Sequence, residues 1–126
     1  MHLKHVALVA GSEEKSDIFY SDLLGLTKSE AKILPLELSN AIFNIDKEIV
    51  MINYLNEHLH FEIFISDCAE DNNQRIAHTC LEIAGLDGFL KKCHSLNLDV
   101  ARIPKGDKTL TFIRDFDGNL FEIKSG

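Results

Sequence analysis

Apolar and polar side chains alternate with a period of two through the first residues. Val6, Leu8 and Ala10 fall on one side and His5 on the other, which predicts a strand over Leu3–Val9. Ser12 is placed to cap a following helix, with Glu13 and Glu14 in the first turn, where the helix dipole favours negative charge. Phe19 and Leu23 lie one helical turn apart, and Gly25 suits the left-handed residue that ends a helix. Beyond a variable stretch around Pro35, Ala41–Ile45 and Glu48–Tyr54 read as a hairpin turning at Asp46-Lys47, followed by a strand over His60–Ile65.

The same order of patterns then returns. A strand is expected over Ala77–Ile83, and Leu86, Phe89, Leu90 and Cys93 at i, i+3, i+4 and i+7 mark a helix. Strands over Asp99–Ile103, Thr109–Arg114 and Leu120–Lys124 complete the half, with Asp117-Gly118 turning the chain into the last. Each half reads β-α-β-β-β. His5 and His78 are 73 residues apart, and Leu26 and Leu98 are 72 apart, so the halves run nearly in step. A period this long indicates two copies of one supersecondary unit, about 1–70 and 71–126, within a single domain spanning 1–126.

The alternation also sorts the chemistry. Phe61, Ile63 and Ile65 share a face, which leaves His60 and Glu62 on the other; Thr79, Leu81 and Ile83 leave His78, Cys80 and Glu82; Phe121 and Ile123 leave Glu122 and Lys124. A sheet often turns its second face to water, and any one of these polar residues alone fits that description. Position within the repeat points further. His5 matches His78 and Glu62 matches Glu122, and two imidazoles with two carboxylates form a tetrahedral or octahedral metal site with positions open to substrate. His58-x-His60 is a weaker chelate beside a turn, and Cys80 reads as a small buried thiol.

Composition narrows the partners. The chain has 126 residues, 45% apolar and 26% charged, ordinary values for a globular domain able to bury its own core. Thirteen basic against twenty acidic side chains give a net charge of −7, which argues against nucleic acid as the main partner. No apolar run reaches the length of a membrane span, and no signal peptide is read at the N-terminus. Cys68, Cys80 and Cys93 are odd in number without C-x-x-C spacing, in keeping with reduced thiols and a cytoplasmic location. Phosphate loops, nucleophile elbows and Ser-His-Asp sets are lacking.

The run KHVALVAGSEEKSDIFYSDLLGL (4–26) resembles the opening strand and helix of the vicinal oxygen chelate superfamily, which includes glyoxalase I. IAHTCLEI (76–83) is similar to the start of that family's second module, and RDFDGNLFEI (114–123) to its closing turn and strand, with Phe116 where the family usually has proline. The resemblance implies an α+β fold of two βαβββ modules, their mixed sheets curled into a cup around a divalent metal, commonly in a homodimer. The implied ligands are His5, Glu62, His78 and Glu122. Glu62 stands where ring-cleaving dioxygenases and fosfomycin-modifying members have no carboxylate, and this resembles glyoxalase I. The activity implied is a metal-dependent lyase or isomerase on a hemithioacetal or related small carbonyl compound. Nickel, cobalt or zinc would be the cofactor, Glu122 the base and Glu62 the opposing acid or base. Many glyoxalase I sequences carry an Arg for glutathione near the end of the first strand, where this chain has Val9 or Ala10. Two alternatives share the fold: an epimerase of a CoA thioester, and a non-catalytic protein that binds a small molecule or antibiotic.

Overall fold

The chain, described here at residues 1–67 and 76–126 from a computed structural model, forms two units, residues 1–69 and 70–126. Cys68 and the expected boundary between the modules lie outside the described residues. In the first unit, β1 (Val6–Ala10) is followed by a short helix α1 (Glu13–Ser16) that continues as π-helical turns over Asp17–Leu23. Then come β2 (Thr27–Lys28), β3 (Lys32–Leu34), α2 (Leu36–Phe43), β4 (Ile49–Leu55) and β5 (His60–Ile65). The sheet runs β1-β5-β4-β2, with β3 also on β4. The second unit holds β6 (Thr79–Ile83), α3 (Leu86–Ser95), β7 (Val100–Lys105), β8 (Lys108–Arg114) and β9 (Leu120–Ser125), in the order β6-β9-β8-β7.

Both units are therefore mixed sheets built on one plan, and the architecture is α+β as expected. The first strand pairs in parallel with the last, and the last pairs antiparallel with the one before it. The registers match as well: Ala7 faces Glu62 as Cys80 faces Glu122. Strands β1 and β6 begin later than the alternation suggested, so His5 and His78 each sit just ahead of their strand.

The shift from 73 to 72 between the halves has a structural cause. In the second unit, the N–H groups of Leu96, Asn97 and Leu98 donate to the carbonyls of Lys92, His94 and Cys93. In the first, Leu24, Gly25 and Leu26 donate to Phe19, Ser21 and Tyr20, and each bond spans one residue more. The extra residue is absorbed by widening the last helical turns from α to π, as a one-residue insertion into a helix commonly is. Gly25 (φ +73°) and Asn97 (φ +57°) then take the same left-handed place. Ser12 caps α1 as expected, its Oγ accepting from the Lys15 N–H at 3.2 Å.

The expected hairpin at Asp46-Lys47 does not form. Ala41–Phe43 belong to α2, and β4 pairs instead with β2, β3 and β5. The run Ala41–Ile45 is too short to separate a helical from an extended period, and Asn44 (φ +58°) ends α2 where a strand was read. The β4–β5 turn is closed by Asn56, whose Oδ1 accepts from the N–H groups of His58 and Leu59.

In each unit the helix that follows the first strand covers one apolar face of its sheet, whereas Phe43 of α2 packs on Phe64 of the opposite face. Phe19, Tyr20, Leu23 and Leu26 are buried with Ile52, Tyr54, Phe61 and Ile63, and the Tyr20 ring lies 5.4 Å from Tyr54 and 5.6 Å from Phe61. In the second unit Phe89, Leu90, Cys93 and Leu98 are buried, as are Leu81, Ile113, Phe121 and Ile123. No helix among the described residues is long and apolar enough to cross a membrane.

One polar network ties the helix of the first unit to its sheet. Asp17 accepts from the Tyr54 hydroxyl at 2.7 Å and from Lys28 Nζ at 3.0 Å. Burial, then the bond to Asp17, pushes the Tyr54 hydroxyl well above its usual range, and the Asp17 bond raises Lys28. Replacing Asp17 with alanine strands the buried Tyr54 hydroxyl and is expected to cost about 1–3 kcal/mol, read by chemical denaturation. Tyr54→Phe combined with Asp17→Ala should recover part of that loss.

Candidate functional site

The face of each sheet turned away from the helix that follows its first strand carries the polar pairs. In the first unit, His5 Nε2 lies 3.3 Å from Glu62 Oε2; in the second, His78 Nε2 lies 3.3 Å from Glu122 Oε2. The side-chain exposures repeat, 44% and 18% in the first pair and 44% and 16% in the second. Both pairs follow from the backbone: a His just ahead of the first strand reaches across the parallel ladder to a Glu on the last. The structure thus joins the four expected residues two by two.

The surroundings of the pairs differ. His60 shares the face of Glu62, and its Nε2 lies 2.6 Å from Asn53 Oδ1; Asn53 is the cross-strand partner of Glu62. The His5 and His60 rings meet edge to face at 5.6 Å. His60 is thus engaged by Asn53 rather than by His58. In the second unit the place of Asn53 is taken by Phe112, whose ring stands edge-on to His78 at 5.9 Å. Asn53 and Phe112 were not singled out in the sequence. Their cross-strand position depends on the β4–β5 and β8–β9 registers, which no local pattern encodes.

Cys80 is exposed, contrary to the buried thiol expected, because the face it shares with Glu122 is not covered by α3. Desolvation, then the charge of Glu122, raises its pKa. Cys93 is the buried thiol, pushed up to about 11 by burial. Among the cations, Arg114 is spent on the closing turn, donating to the Gly118 carbonyl at 2.7 Å. That turn is held by Asp115, whose Oδ1 accepts from the N–H groups of Asp117 and Asn119, so it closes without the proline the family usually has. Arg102, Lys105, Lys108 and Lys124 line a concavity of about 680 Å³ in the second unit.

A divalent metal fits the donor chemistry. Two donors held on one ion at about 2.1 Å, at right-angled to tetrahedral angles, stand about 3.0–3.4 Å apart, and both pairs show that separation. Imidazole nitrogen with carboxylate oxygen suits nickel, cobalt, zinc and manganese alike. Each pair alone supplies two donors, and among the described residues no three His, Cys, Asp or Glu side chains gather as a metal group.

Residues 2–123 match the Glyoxalase/Bleomycin resistance protein/Dioxygenase superfamily, and the chain belongs to that family. Among solved structures, it is similar to the fosfomycin resistance protein FosX of Listeria monocytogenes in complex with Mn(II) and 1S,2S-dihydroxypropylphosphonic acid. That likeness has a TM-score of 0.74 at 17% identity, over 99% of this chain and 92% of that one. FosX of Mesorhizobium loti (TM-score 0.72, 15% identity, 99% and 91% covered) and a glyoxalase family protein of Enterococcus faecalis (0.70, 18%, 97% and 95%) share the fold. No curated protein matches the sequence.

The thiols give a direct check on this geometry. At pH 8 iodoacetamide is expected to alkylate Cys80, more slowly than an unstructured thiol because its raised pKa leaves less thiolate. Cys93 should stay unmodified until denaturant is added. Peptide mass spectrometry reads each site separately, and modification of Cys93 in the native protein would contradict its burial.

Proposed function

We propose that the protein is a metal-dependent enzyme of glyoxalase I type, an isomerase or lyase that moves a proton between adjacent oxygen-bearing carbons of a small carbonyl compound. His5, Glu62, His78 and Glu122 act as ligands to a divalent ion, one ion per chain. The observation that carries this reading is the matched geometry of the two pairs, 3.3 Å in each unit with equal exposure. A facial set of two His and one Glu would leave Glu62 without a role. Mn(II) in the Listeria FosX structure supports a divalent metal in this fold and does not select among metals.

A bound divalent ion supplies Lewis-acid stabilisation of negative charge on neighbouring substrate oxygens. The chain's own residues do the rest. His5 and His78 anchor through their imidazole nitrogens, each just ahead of a strand held by its parallel ladder. Glu122, mostly shielded from water, takes the proton from the carbon next to the carbonyl; Glu62 delivers a proton to its neighbour and is reprotonated from solvent as Glu122 releases its own, so both carboxyls end each turnover as they began. The Phe112 ring, edge-on to His78, packs against the imidazole and limits its orientations.

Metal-stripped protein titrated with nickel and with zinc is expected to bind near one ion per chain, and failure of both to bind would remove the enzyme reading. Glu122→Gln should lower turnover of a hemithioacetal or acyl thioester by at least about 10²-fold while retaining the metal. Turnover close to wild type in that variant would take the base role from Glu122. Glu62→Ala should weaken the metal, and an unchanged affinity would replace the four-ligand set with a facial triad.

A further inference from the structure

The floor of the concavity of about 680 Å³ in the second unit is the sheet face turned away from the His78–Glu122 pair. Arg102 is the cross-strand partner of Thr111 and Thr111 that of Ile123, so the three share one face. Thr109 and Ser125 stand two residues from Thr111 and Ile123 and lie on it as well. It is the face of the buried Ile123, on the side of α3, and Leu86, the first residue of α3, lines the concavity too. Glu122 and Lys124 border it from the strand, but alternation turns their side chains to the other face, where Lys124 Nζ lies 3.9 Å from Glu122 Oε1. Lys105 and Lys108, the last pair of the β7–β8 hairpin, stand at the rim.

The groups around this floor lack partners of their own. Thr111 is 3% exposed, and its hydroxyl makes no hydrogen bond among the described residues, a costly state for a buried polar group. Lys105 and Lys108 oppose each other directly across the hairpin, and such like-charge pairs repel. Among the described residues Arg102, Lys105 and Lys108 form no ion pair, and the acidic residues nearest in sequence, Asp87 and Asp107, do not line the concavity. Helix α3 opens beside it uncapped. Gly85 has no side chain to offer, and the first helical bond runs from the Phe89 N–H, so the N–H groups of Leu86, Asp87 and Gly88 remain available. In a chain of net charge −7, cations, hydroxyls and the positive end of a helix converge on one concavity.

We propose that this concavity is a second ligand site, on the face opposite the candidate metal ligands, and that it binds the phosphate group of a small phosphate ester. Phosphate suits the donors better than carboxylate does. The Arg102 guanidinium presents a fork of N–H groups from one side, and the hydroxyls of Thr109 and Thr111, about 7 Å apart along β8, approach from another. A tetrahedral anion with three free oxygens accepts from both directions, whereas a planar carboxylate is filled by the guanidinium alone. A phosphate held there also screens Lys105 from Lys108. The concavity is far larger than one phosphate, and Leu86 and Ile123 add apolar surface for the organic part of an ester. The site stands apart from the metal-enzyme reading and does not depend on it.

The test is an NMR titration of the full chain, without added metal, with glycerol 3-phosphate and with inorganic phosphate, read on backbone amides. Saturable shifts are expected at Leu86, Gly88, Arg102, Thr109 and Thr111, with His5, Glu62 and His78 unmoved. The ester should bind at least about fivefold more tightly than inorganic phosphate, and equal affinities would replace the ester with free phosphate as the ligand. Arg102→Gln should weaken the ester at least about tenfold while leaving nickel affinity within about twofold of wild type. Thr111→Val should weaken it at least about threefold; Arg102 is exposed, so its variant serves where Thr111→Val fails to fold. Shifts that are absent, that gather at His78, or that persist unaltered in Arg102→Gln would overturn the site. Ester binding by a chain that takes up no nickel would uphold it and overturn the metal-enzyme reading alone.

Discussion

The parallel pairing of the first and last strand of each unit is the constraint on which the rest depends. Parallel neighbours cannot be joined by a tight turn, so the chain between them must cross over, and a helix with the intervening strands makes that crossing. The pairing sets Ala7 against Glu62 and Cys80 against Glu122. It thereby brings the residue ahead of each first strand, His5 or His78, within reach of a carboxylate on the last. A one-residue slip would turn Glu62 and Glu122 onto the helix-covered face and drive Phe61 and Phe121 into the polar one.

Around that shared frame the two units differ where chemistry and ligand shape diverge. The first surrounds its pair with polar and aromatic neighbours, Asn53 and His60, and adds α2 at the far end of the same sheet face. The second sets Phe112 beside its His and leaves the Cys80 thiol open on the face of Glu122. The π-helical turns belong to the same pattern: one additional residue is taken up between Ser21 and Gly25 without disturbing the Gly25 and Leu26 positions that close the helix on the sheet.

The electrostatic design places the carboxylates behind the imidazoles. Glu62 and Glu122 are largely withdrawn from water while His5 and His78 are nearly half exposed. Such a pair presents nitrogen at the surface and keeps the oxygen, the stronger charge, where solvent screens it least. The chain's net charge of −7 leaves this arrangement without a broad positive field, so recognition of a substrate falls to local contacts.

Much of this was legible in the sequence because it rests on short-range periodicity. Val6, Leu8 and Ala10 alternating with His5, the Ser12 cap, Gly25 at the helix end and Asp117-Gly118 before the last strand each report a local backbone preference. The spacing of His5 from His78 exposed the duplication, and with it the four residues at equivalent places. Family membership followed from the same motifs. What the chain alone could not decide were matters of long-range pairing. Ala41–Phe43 became helix because β4 finds its partners in β2, β3 and β5, and no five-residue apolar run encodes that choice. Cys80 is open and Cys93 buried because helix α3 covers only one face of its sheet. Asn53 and Phe112 reached their places beside Glu62 and His78 through cross-strand register. Local preference is written in neighbouring residues, whereas burial and register are properties of partners far apart in the chain.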